Sequence, residues 1–207
     1  GFGYDELHGT MDVPRLRAGD SNFLYPELGG GVGPSPSIQG MDPVCFALSV
    51  PNGLEMPEAG WPLVIYGHGV LGDRSSCYQD GTVDALSNIP GEWGSVGAAV
   101  LSVDHIFHGA RAVDGPYGPE FTLQHLGNPA TLSGNVLQAV AEYYQLERMA
   151  SALSWEAIDS PTGEAIKFDL SKIYFYGHSV SARAAVAASS QSLLTSGLVL
   201  GGIGGGL

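Results

Sequence analysis

Short apolar runs of strand length recur along the chain, separated by stretches whose apolar residues follow helical spacing. Residues 44–50 read as a strand, ended by the turn Pro51-Asn52-Gly53. Residues 61–66 are apolar without alternation, the pattern of a strand buried on both faces of a parallel sheet. Residues 97–104 give the next buried strand, and 173–176 and 198–200 give two more. Between them, 74–89 place Val83, Leu86 and Ile89 on one side of a helix. A long helix over about 132–153 gathers Val136, Leu137, Val140, Tyr144, Leu146 and Leu153 on one face. An Ala-rich segment of high helix propensity follows Ser179. This alternation predicts an α/β fold, a mostly parallel sheet with helices on both faces. Residues 1–43 are rich in Gly, Pro and acidic residues, with little helical periodicity. They are expected to form an extended arm supplying peripheral antiparallel strands, ahead of a core over 44–207.

The junction of the 173–176 strand with the Ala-rich helix carries the most chemistry. It reads Gly177-His178-Ser179-Val180-Ser181, one residue short of the Gly-x-Ser-x-Gly nucleophile elbow. That turn holds a serine at the end of a parallel strand, with the positive end of a helix behind it. Small flanking residues let strand and helix close around it. The plainer reading is a strand-to-helix turn whose serine caps the helix. A second turn, His68-Gly69-Val70-Leu71-Gly72, follows the 61–66 strand. Acyl transfer develops negative charge on a carbonyl oxygen, which preorganised backbone N–H groups stabilise. One such group belongs to the residue after the nucleophile, Val180; the other is expected from this loop, at Val70. Gly69 lets the loop turn into the site, and His68 reads as a structural residue orienting it.

The remaining chemistry is narrower. Asp104, His105, His108 and Asp114 are zinc-ligand types, but their spacing matches no metal site. Asp104 and Arg111 are instead expected to tie down the loop after their strand, and no metal or cofactor is predicted. Gly29-Gly30-Gly31-Val32-Gly33-Pro34 lacks the Lys-Ser/Thr of a phosphate loop and reads as a flexible surface loop. A net charge of −13 with two lysines disfavours nucleic acid or an anionic membrane surface as partner. The apolar runs are strand-sized, too short for a membrane span. Cys45 and Cys77 are compatible with one disulfide or with two free thiols. At 207 residues the chain suits one α/β domain.

The element order, with an oxyanion loop early and a serine elbow later, resembles the α/β-hydrolase fold. Val103-Asp104-His105-Ile106-Phe107-His108-Gly109-Ala110-Arg111 resembles the Asp-His-x-x-His-Gly-x-Arg segment of secreted lipase-like hydrolases of deltaproteobacteria and other environmental bacteria. Gly127-Asn128-Pro129 and the stretch to Gln138 are similar to that family's Asn-Pro and Asp-Asn-x-x-Gln, and His-Gly-Val-Leu-Gly looks like a bacterial lipase oxyanion loop. The resemblance covers roughly 44–207. It implies carboxylic-ester hydrolysis by an exported protein without a cofactor, acting on a small-molecule or lipid ester. Carried over, Ser179 is the nucleophile and Val70 and Val180 are the oxyanion donors. Two positions depart from the pattern: Ser181 stands for Gly, and Gly134 stands for an acidic residue.

A serine hydroxyl needs a base, and the base needs an orienting acid. In this fold they follow the nucleophile as Asp or Glu, then His. No Asp, Glu or His follows Ser179, and His8, His68, His105, His108, His125 and His178 all precede it. His178, beside the nucleophile, is expected to point away from its hydroxyl. The expectation is that the chain is a piece, completed by a further segment or a second chain. Its sheet would then end on an apolar edge open to pairing. Two other classes stay open: a non-catalytic hydrolase-like domain used for binding or surface assembly, and a peptidase or amidase.

Overall fold

The computed structural model describes residues 3–19, 26–92, 94–112 and 127–203. Its strands are β1 (Tyr4–Arg15), β2 (Gly40–Pro51), β3 (Trp61–Gly67), β4 (Ala99–Val103), β5 (Ser154–Trp155), β6 (Ile166–His178) and β7 (Thr195–Gly201). The helices are α1 (Ser76–Gln79), α2 (Thr82–Ser87), α3 (Pro129–Ala152) and α4 (Val180–Ser189). Asp114 and His125 lie outside the described residues.

The strands form one mixed sheet in the order β1-β2-β4-β3-β6-β5, with β7 paired to β6. Its centre, β4-β3-β6-β7, is parallel, and β1 and β2 add to one side antiparallel. The sheet buries both faces, as the unalternating runs require. One face packs Leu48, Leu63, Ile65, Leu101 and Phe175 against Tyr143 and Leu146 of α3 and Ala184, Ala185 and Ala188 of α4. The other packs Val64, Tyr66 and Val100 against Cys77 of α1 and Val83 of α2. Between them the two layers enclose the parallel strands, whose C-terminal ends carry the site.

Four local expectations are revised. The predicted 74–89 helix is two short ones, because Gly81 takes a left-handed φ of 80° between them. The long helix begins three residues early, at Pro129, whose fixed φ and missing N–H suit a first helical position. β2 begins at Gly40, because its antiparallel pairing with β1 runs through to Arg15. β6 begins at Ile166, where Ser154 and Trp155 pair with it before its register against β3 shifts. Along β1, Glu6, His8, Thr10 and Asp12 face solvent while Val13 is buried; such charge blunts an edge strand. β7, at the other edge, exposes Val199 and Leu200. Cys45 and Cys77 are both free, and burial pushes the Cys77 thiol up to about 12. Among the described residues no helix is long and apolar enough to cross a membrane.

Candidate active site

β6 delivers Ser179 to the C-terminal edge of the sheet, and α4 starts at the next residue. Ser179 has φ 55° and ψ −114°, a backbone conformation that side chains larger than hydrogen adopt at a cost of about 1–3 kcal/mol. Its neighbours enforce it. Gly177 is pressed against α4 so closely that a Cβ there would lie 2.8 Å from the Ala182 Cα. On the other side, Ser179 N–H donates to Gly201 O of β7 at 2.8 Å. Ser179 stands at the N-cap of α4, yet its hydroxyl makes no capping hydrogen bond. The serine therefore does not cap the helix through its side chain, and among the described residues its hydroxyl is given no backbone partner.

The loop after β3 closes over this turn. A Cβ on Gly69 would lie 2.6 Å from His178 Nδ1 and 3.4 Å from Ser179 Cβ, so the loop backbone abuts the elbow. Gly69 O accepts from Gly72 N–H at 3.1 Å, which makes residues 69–72 a tight turn. Leu71 takes a left-handed φ of 67° in it. Val70 lies on this turn and Val180 opens α4. Among the described residues neither N–H is spent on a hydrogen bond, and the first N–H of a helix has no intrahelical partner.

His68 holds the loop, as expected of it. It is fully buried; its Nδ1–H donates to Gly69 O at 2.8 Å, and its Nε2 accepts from His105 N–H at 3.2 Å. These two bonds select the neutral Nδ1–H tautomer. Burial pushes its pKa down to about 4, and burial and the neighbouring imidazoles hold His105 well below the ordinary range. His108 donates Nδ1–H to Ile106 O at 2.8 Å. None of the hydrogen bonds described for the His68 and His108 rings reaches Ser179. His178 is exposed, with Gly69 on one side and Gly201 and Gly202 on the other.

The two departures from the family pattern have structural reasons. Ser181 is buried and its hydroxyl donates to His68 O, tying α4 to the loop after β3 as glycine could not. Gly134 sits against the Gly30 carbonyl, leaving no room for a side chain. That contact belongs to a wider attachment that sequence reading missed. Asn128 and Thr131 of the α3 start both donate to Gly29 O, at 2.9 and 3.1 Å. Gln138 donates to Pro14 O at 2.8 Å and accepts from Leu16 N–H at 2.7 Å. Arg17 donates to Asn135 Oδ1 at 3.0 Å, its guanidinium 5.3 Å from the Phe107 ring centre. The glycine-rich segment is thus an anchored loop around the start of α3.

Asp104 and Arg111 tie down the loop after β4. Asp104 accepts from Arg74 Nη1 at 2.7 Å and from the Arg74 and Ala110 N–H groups, both at 2.9 Å. Arg111 forks onto Glu142 at 2.8 and 3.0 Å and also reaches Asp104 O. With Asp104 so occupied, no group of three or more His, Cys, Asp or Glu among the described residues is arranged to hold a metal ion.

The fold superposes on solved structures. An acetyl xylan esterase from Paenibacillus sp. R4 superposes with a TM-score of 0.50 at 19% identity, covering 75% of this chain and 43% of its own. The peroxisomal α/β-hydrolase Lpx1 from Saccharomyces cerevisiae gives 0.51 at 12% identity, covering 95% and 44%. The fold is that of an α/β-hydrolase. No family model and no curated protein matches the chain. The chain spans less than half the length of either structure.

Proposed function

We propose that this α/β-hydrolase chain is the nucleophile-bearing part of a serine hydrolase that cleaves carboxylic esters. The observation that carries this reading is Ser179 itself: a half-buried serine in left-handed backbone, at a strand-to-helix elbow, with a hydroxyl that caps nothing. In this reading Ser179 Oγ attacks the ester carbonyl carbon and its proton passes to a base. The carbonyl oxygen becomes an oxyanion held by the Val70 and Val180 N–H groups. The tetrahedral adduct collapses, the C–O bond to the alcohol breaks, and the base returns the proton to the departing alkoxide. Water then hydrolyses the acyl-Ser179 to the carboxylic acid and restores the hydroxyl. The base and its orienting acid come from outside these residues, in a further segment or a second chain. His68 is unsuited to the task, since both its ring nitrogens are engaged. Export from the cell accords with the sequence resemblance.

The engagement of both His68 ring nitrogens also favours a second reading, a hydrolase-like binding module without turnover. Intact-mass analysis after fluorophosphonate treatment separates the two. The enzyme reading expects a single adduct on Ser179, lost in Ser179→Ala, together with hydrolysis of a short-chain p-nitrophenyl ester. A folded, complete assembly that takes up no adduct establishes the binding module instead.

A further inference from the structure

The loop after β3 carries glycine at 69 and 72, the residue type that loses most conformational freedom on ordering. Two of its successive carbonyls are nevertheless pinned. His68 O accepts from the Ser181 hydroxyl, and Gly69 O accepts from His68 Nδ1–H at 2.8 Å and from Gly72 N–H at 3.1 Å. A peptide group is planar and trans, so its C=O and N–H point opposite ways and fixing one fixes the other. Holding His68 O therefore orients the Gly69 N–H, and holding Gly69 O orients the Val70 N–H. Among the described residues no backbone N–H bonds to His68 O, and His68 is fully buried, so the Ser181 hydroxyl is what satisfies this carbonyl. A serine near a helix start commonly bonds a backbone group of its own turn, whereas Ser181 reaches across 113 positions. Its side chain is also confined. A Cβ on Gly67 would run into the Tyr143 hydroxyl and lie 2.6 Å from Ser181 Cβ, so β3, α3 and α4 close together around it.

We infer that Ser181 is a positioning residue: its hydroxyl fixes the loop after β3 against α4 and so sets the spacing of the Val70 and Val180 N–H groups before a substrate arrives; this rests on the ester-hydrolase reading above. Val180 directly precedes Ser181 in α4, and Val70 follows His68 by two positions, so one hydrogen bond joins the two segments that bear these N–H groups. Oxyanion donors act when they are aimed in advance at the place the oxyanion will take. A donor that swings away loses its effect on the chemical step while leaving ground-state binding nearly intact. Glycine at 181 would strand His68 O and free the His68–Gly69 peptide to turn. The departure from the family pattern at this position is therefore what stiffens the loop.

The test uses the complete assembly and reads the loop and the chemistry separately. Amide hydrogen exchange is followed by NMR in the wild type, in Ser181→Ala and in Ala188→Gly, a destabilised control at the far end of α4. Ser181→Ala should speed exchange at the Gly72 N–H about tenfold or more, while the central β3 amides stay within about threefold of the wild type. On a short-chain p-nitrophenyl ester it should lower kcat about tenfold or more with KM changed less than about threefold, the mark of an interaction made in the transition state. Ala188→Gly costs helix propensity away from the loop and should keep kcat within about twofold. Ser181→Cys, a weak donor of similar size, carries the same comparison where Ser181→Ala does not fold. Unchanged exchange at Gly72, or an equal loss of kcat in Ala188→Gly, overturns the positioning role. Full kcat in Ser181→Ala overturns it and leaves the hydrolase reading in place. A wild type that neither hydrolyses the ester nor takes up fluorophosphonate, with Gly72 exchange still released in Ser181→Ala, removes the hydrolase reading and upholds the anchoring of the loop.

Discussion

Two turns at the same edge of the sheet, after β4 and after β6, hold a non-glycine residue in left-handed backbone: Phe107 at φ 64° and Ser179 at φ 55°. They spend their polar groups in opposite ways. After β4, the buried Asp104 carboxylate accepts three hydrogen bonds, and Arg111 joins its backbone to Glu142. Phe107 itself is buried beneath Arg17. After β6, the Ser179 hydroxyl does not cap α4, and among the described residues the Val180 N–H is unspent. Backbone strain alone therefore does not identify chemistry. In the first turn the strain is repaid by burial and hydrogen bonds; in the second, polar groups remain available to a ligand.

That contrast can be broken by substitution. Asp104→Ala should cost the most, about 3–5 kcal/mol in chemical denaturation, because it strands Arg74 and the Ala110 N–H. A loss below about 1 kcal/mol would mean that the β4 turn does not depend on its polar network. Phe107→Gly should lose about 3 kcal/mol net, since lost aromatic burial exceeds the strain relieved. Acidification acts on the loop that joins the two turns. His68 falls from its ordinary 6.5 to about 4 on folding, so the unfolded chain binds the extra proton between those values. Stability is then full above pH 6.5 and declines as pH falls toward 4, by about 2 kcal/mol between pH 7 and pH 5 from this residue, with His105 adding in the same direction. A flat unfolding midpoint over that range would contradict buried, neutral imidazoles. Ser179→Gly is the smallest effect and has the opposite sign. It should raise stability by about 1 kcal/mol, since glycine tolerates the left-handed backbone and no cap is lost. Destabilisation there would show that the hydroxyl has a structural role.

Much of this architecture is legible in the chain. The runs at 61–66, 97–104 and 173–176 are the central parallel strands, because strands covered on both faces must be apolar at every position. Ser179 is legible because Gly-His-Ser-Val-Ser lies between a strand and an Ala-rich helix. The break at Gly81 was harder to read, since apolar spacing continues across it while the backbone does not. Ser181 reads in sequence as a small residue standing for glycine; only the fold brings His68 O to its hydroxyl. The hold of Arg17 on Asn135 had no local signal, because 118 positions separate them.

The sequence by itself determined the order of the central strands and helices and the position of the elbow. These depend on local periodicity and on residue chemistry, which a linear chain displays. Tertiary structure decided which polar groups are consumed and which stay open. It locked His68 as a neutral brace, spent Asp104 on Arg74, and left the Ser179 hydroxyl without a helix cap to make. The reason is physical: a side chain's pKa and hydrogen-bonding state depend on its burial and its partners, and those partners come from strands and helices far away in sequence.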